Sequence, residues 1–201
     1  MRSCTQLPEG YREIRTVDLQ KDKKTSFWVN AAASAAMVVL AVFGHVFLVP
    51  ISEMFRLGPG PGMGDLPLKA AVMIVGMLAY IVLHELTHAA AMRLFGAKRI
   101  RFGFTGLYAF AGSEEDYFDR IAYVTVALAP VVVWTVIFGI LSALVPRSWF
   151  WVVYVLQLSN LSGAAGDLYV SFLTLRMAKS VLTRDTGVSM TFYDCSPLQP
   201  E

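Results

Sequence analysis

Apolar residues gather into uncharged runs, each about as long as a membrane crossing. Trp28–Pro50 and Ile121–Val145 carry no formal charge, and Ser148–Leu175 carries only Asp167. Ala70–Phe95 is uncharged until His84 and Glu85 interrupt it. A bilayer core about 30 Å thick takes roughly 20 residues of helix. The pattern therefore predicts an all-α polytopic membrane protein, one membrane-embedded domain with four transmembrane helices over 28–50, 70–95, 121–145 and 148–175. Between the second and third spans the period changes. Ile100, Phe102 and Phe104 alternate with Arg99, Arg101 and Gly103, and Thr105-Gly106 permits a turn before Leu107–Ala111, which predicts a small β-hairpin on the cytoplasmic side. Ser113 is placed to cap the following helix, with Glu114, Glu115 and Asp116 in its first turn. Gly58-Pro59-Gly60-Pro61-Gly62 cannot continue a helix and predicts a loop. The tail after Arg184 is polar, with a short strand expected over Val188–Tyr193.

Composition agrees with the membrane reading. The 201 residues are 56% hydrophobic and 16% charged, with a mean hydropathy of +0.55, whereas soluble domains carry about 25% charged residues. A net charge of +2 gives no reason to expect a nucleic-acid partner. The two cysteines, Cys4 and Cys195, are too few for a disulfide framework and too far apart in sequence for a thiolate metal motif.

Lysine and arginine fix the orientation. Arg2, Arg12, Arg15, Lys21, Lys23 and Lys24 precede the first span; Arg93, Lys98, Arg99, Arg101 and Arg120 flank the hairpin connection; Arg176, Lys179 and Arg184 follow the last span. Only Arg56, Lys69 and Arg147 belong to the other face. Because cytoplasmic flanks accumulate positive charge, both termini are expected in the cytoplasm and the thiols reduced. The first 27 residues are too polar for a cleavable signal peptide, so the first span reads as an uncleaved anchor.

The chemistry lies in the second span, at His84-Glu85-Leu86-Thr87-His88, an HExxH pattern. Residues four apart on a helix share a face, so both imidazoles can hold one zinc ion, with Glu85 close enough to act as a general base. Ionisable groups inside a span are costly and are functional candidates by default. The alternative is two neutral histidines hydrogen-bonded to neighbouring helices. Catalytic zinc takes three protein ligands and leaves a position open. No histidine follows His88, so the third must be an acid or His45. Asp167 is the only carboxylate inside the other spans. At 1.5 Å per residue it lies about 13 Å from Arg176, while His88 and His84 lie about 7 and 13 Å from Arg93, so the three meet at one level. A buried acid bonded to span three is the competing reading of Asp167. Asn160 lies two turns before Asp167, where its amide can hold a substrate backbone group or serve as glue between helices. Pro130 is expected to free backbone groups within span three.

With HELTH in span two and an aspartate in span four, the chain resembles intramembrane zinc metalloproteases of the site-2 protease type. It resembles more closely the zincin peptidase family of four-span membrane proteins, through Leu7-Pro8, Gly10-Tyr11, His84–His88, Ala129-Pro130, Asn160 and Gly166-Asp167. It departs from the site-2 pattern in having Gly166-Asp167-Leu168 where an Asp-Gly pair is usual. It also lacks prolines between Asn160 and Asp167 and has no PDZ domain. The resemblance implies zinc on His84, His88 and Asp167, and hydrolysis of peptide bonds in membrane-associated proteins or peptides, with the lipid bilayer as the protein's surroundings. A protease-like scaffold without turnover, a zinc hydrolase of a non-peptide substrate and a small transporter remain as alternatives. Four spans without an internal repeat favour the transporter least.

Overall fold

The computed structural model describes residues 3–55, 65–106 and 108–195. The Gly/Pro loop at 58–62 lies outside them. The chain divides into two compact units, one built from Met1–Val29, His84–Pro130 and Gly166–Glu201, the other from Asn30–Leu83 and Val131–Ala165.

The first unit is organised by a sheet that an all-α expectation does not contain. Its strands are β1 (Ser3–Cys4), β2 (Arg12–Val17), β3 (Arg101–Phe104), β4 (Ala109–Asp119), β5 (Leu182–Asp185) and β6 (Met190–Asp194). Antiparallel pairing gives the order β1-β4-β5-β6-β2, with β3 on β4. The hairpin expected between the second and third spans is β3–β4, turning at Gly106 with φ +88°. The tail strand is β6. The expected helix start at Ser113 is corrected, because β4 runs on to Asp119. Glu114 and Glu115 instead reach Arg101 at 2.7 Å and Arg99 at 2.8 Å, cross-hairpin pairs of the kind that stabilise strands. The Ser113 hydroxyl donates to Asp116 at 2.6 Å. Asp119 performs the capping, accepting the Ala122 N–H at 2.9 Å, where α3 (Arg120–Leu144) begins. Helices pack on the sheet through Met92, Phe118, Tyr123, Val126, Val170, Val181 and Phe192, all at most 1% exposed.

Three helices among the described residues are long and apolar enough to cross a membrane: Lys23–Leu48, Asp65–Leu94 and Arg120–Leu144. The first comprises α1 (Lys23–Phe43), none of whose residues is buried, and a π-helical turn over Gly44–Leu48. The second is α2 (Asp65–Leu94). Gly96 ends it with φ +99°, and Ala97 N–H returns to Met92 O at 3.0 Å, a glycine C-cap that satisfies the last carbonyls. The stretch expected as the fourth span, 148–175, holds two helices, α4 (Phe150–Gly163) and α5 (Ala165–Arg176), with a break at Ala164. Gly163 and Gly166 flank the break, and glycine gives up the most freedom on entering a helix. Asp167 in the first turn of α5 gains from that helix's positive end.

In the second unit the aromatic residues of α4 provide the contacts. Trp151 Nε1 donates to Val49 O at 3.0 Å and Tyr154 Oη to Leu40 O at 2.8 Å. Tyr80, Trp134 and Phe138 pack ring to ring, with centroids 5.4 to 5.8 Å apart.

Candidate metal centre

The last turns of α2 carry His84, Glu85 and His88. Helical periodicity sets the two imidazoles on one face, their ring centroids 4.9 Å apart and nearly perpendicular at 77°. Asp167 arrives from α5. Its Oδ2 lies 3.5 Å from His84 Nε2 and 3.6 Å from His88 Nε2, and the three ligand atoms lie within 4.8 Å of one another. Two donors bound about 2.0–2.1 Å from a tetrahedral zinc stand about 3.4 Å apart, so the separations around Asp167 suit a single ion. Two nitrogens and one carboxylate oxygen also match the donors that zinc takes in catalytic sites.

His88 is held from behind by the Val126 carbonyl, 3.0 Å from Nδ1. A carbonyl only accepts, so Nδ1 carries a proton and Nε2 is the nitrogen left to face the centre. This carbonyl-to-imidazole contact is the usual outer support of a metal-binding histidine. Glu85 is half-buried beside the two histidines, and the Ala111 N–H of β4 faces its carboxylate.

Of the other candidates, His45 belongs to the second unit and is not one of the three clustered residues. Its Nδ1 accepts the Ile51 N–H at 3.0 Å, and its side chain is exposed. Asn160 is 0% exposed, in the second unit. Its Nδ2 donates to Thr135 Oγ1 at 3.0 Å and Val131 O at 3.3 Å, and its Oδ1 accepts from Tyr80 Oη at 3.0 Å. That arrangement is of the helix-gluing kind.

Asp185 is an acid near the centre that the sequence does not single out. It lies on the inward face of β5 with Thr183, both buried, and accepts the Gly187 N–H at 2.7 Å. Burial pushes its carboxyl up to about 6, against the lowering pull of Gly187, His88 and Tyr123, while Asp167 adds to the rise. The signal in the sequence is faint: alternation over Leu182–Asp185 followed by a glycine that the turn holds at φ +81°.

Comparison with known proteins agrees with the chemistry. A family model described as "Putative zincin peptidase" matches residues 77–182, a stretch that holds His84, Glu85, His88 and Asp167. No curated protein and no solved structure matches the chain.

Proposed function

The chain belongs to the zincin peptidase family, and from that premise we propose that it is an intramembrane zinc metalloprotease that hydrolyses peptide bonds of membrane-associated proteins or peptides. One observation carries this reading: both Nε2 atoms of an HExxH pair converge on a single Asp167 oxygen within a chain whose helices are long and apolar enough to span a bilayer. His84, His88 and Asp167 hold the metal. When bound, zinc supplies a Lewis acid that polarises the scissile carbonyl and lowers the pKa of an attacking water towards 7. Glu85 takes the proton of that water and returns it to the departing amine. The Val126 carbonyl keeps His88 in the tautomer that leaves Nε2 free. A helical substrate hides its carbonyls in its own hydrogen bonds, so it must unwind before attack. Strand β3 pairs with β4 alone among the described strands. Its other edge therefore offers backbone groups to an unwound segment, which lipid cannot do. In this reading the termini face the cytoplasm, and water reaches the site from that side.

Two measurements test the proposal. Purified protein is expected to carry close to one zinc per chain, and a His84→Ala, His88→Ala variant less than about 0.2. Glu85→Gln is expected to keep the zinc and to lose cleavage of membrane-protein substrates in detergent by about a hundredfold or more. Persisting cleavage in Glu85→Gln removes the general-base assignment, and a metal content unaffected by the double substitution removes the metalloenzyme.

A further inference from the structure

Helix α3 runs from Arg120 to Leu144 with Pro130 inside it. In an α-helix the N–H of each residue bonds the carbonyl four residues earlier, so the carbonyl that Pro130 would serve is that of Val126. Proline has no N–H, and its ring crowds that same carbonyl. Val126 is 1% exposed, so bulk water does not make up the loss, and an unpaired buried carbonyl is costly. The partner it does have is His88, whose Nδ1 lies 3.0 Å away. His88 is itself buried and needs an acceptor for its Nδ1 proton once Nε2 is given to a metal. Each group supplies what the other lacks.

We infer that Pro130 is a positioning residue for the metal ligand His88: by withholding an N–H it reserves the Val126 carbonyl for Nδ1–H, which fixes the ring's tautomer and aims Nε2 at the centre. The inference rests on the reading of His84, His88 and Asp167 as a metal centre. It assigns a role in the site to a residue that contacts neither metal nor substrate. An alanine at this position restores the helical donor and sets it in competition with His88. Because alanine is the better helix former, the variant keeps α3.

The test uses the full-length protein in detergent micelles and two substitutions. Pro130→Ala restores the N–H. Pro130→lactic acid, introduced by nonsense suppression, lacks both the ring and the N–H, because an ester oxygen replaces the amide. Zinc affinity, measured by chelator competition, is expected to fall about tenfold in Pro130→Ala and to stay within about twofold of wild type in the ester, the range known for outer-shell partners being about 10–100-fold. Nitrogen NMR of histidine-labelled, metal-free protein, recorded at a pH alkaline enough to leave the imidazoles neutral, supplies a readout independent of zinc. His88 is expected as the Nδ1–H tautomer in wild type and in the ester, and with a growing Nε2–H share in Pro130→Ala. His45, whose Nδ1 accepts the Ile51 N–H, provides the opposite tautomer as an internal reference. The inference is overturned if Pro130→Ala binds zinc within about twofold of wild type, if alanine and ester weaken binding equally, or if the His88 tautomer is the same in all three. A wild-type chain that binds no zinc removes the metal centre instead, and the tautomer measurement still decides between Pro130's missing donor and its ring.

Discussion

Asp185 gives the metal-free protein a pH dependence of its own. Burial raises its carboxyl to about 6 from an ordinary value of 3.8, so the folded chain holds that proton more tightly than the unfolded chain. The resulting stability is fully present below about pH 4 and is lost as pH rises through 6. A tenfold difference in proton affinity is worth about 1.4 kcal/mol, so the loss is at most about 3 kcal/mol. Asp185→Asn removes the titration, so its melting temperature is expected to decline less than that of wild type between these pH values, both chains being metal-free. Parallel curves would show that the carboxyl does not titrate in this window. Residue by residue, legibility follows sequence distance. His84, Glu85 and His88 are one helical turn, visible in five letters. Asp167 is reached through depth along a helix. Asp185 escapes a reading of the sequence because its burial depends on β5 pairing with β4 and β6, which no local pattern announces.

At the scale of elements, hydropathy locates the apolar segments but not how they break. The stretch 148–175 is apolar enough to read as one span, yet it folds as α4 and α5 around Ala164. Two glycines, Gly163 and Gly166, and an acid that gains from a helix start flank the break. Likewise Ser113–Asp116 has the composition of a helix start and lies in β4, where Glu114 and Glu115 pair with arginines across the hairpin. Where a polar group is buried inside an element, its partners define its part in stability. Asn160 joins α2, α3 and α4 through Tyr80, Thr135 and Val131. Asn160→Ala removes its hydrogen bonds to Tyr80, Thr135 and Val131 from a buried site, at a total cost of about 1–3 kcal/mol. Thermal unfolding in detergent is expected to show a lower midpoint with the zinc content unchanged. An unshifted midpoint would mean that these groups find other partners and that the amide is free for another task.

At the scale of the molecule, the unit that holds the candidate site is assembled from the two ends of the chain and the segment between them. Strand β2 pairs with β6, Thr16 opposite Thr191, and their hydroxyls lie 3.1 Å apart. The strand within the first 27 residues goes unread in the sequence because its partner lies at the other end of the chain, and strand periodicity over six residues is weak evidence without it. Loop-closure entropy makes so distant a pairing conditional on everything between, since the ends meet only when the helices have brought them together. The N-terminal strand therefore depends on the C-terminal hairpin. A chain ending at Lys179 lacks β5 and β6, which leaves β2 without a ladder partner and removes Asp185 and Phe192 from the core. Limited trypsin digestion of the detergent-solubilised protein reads this directly. Arg12 and Arg15 are exposed as side chains, but the ladder holds their backbone, so cleavage there is expected to be slow in the full chain. In the truncated chain it is expected to be faster by about tenfold or more, since a protease reaches a strand only when it opens and opening no longer breaks a sheet. Equal cleavage in both chains would show that β2 is held by something other than β6.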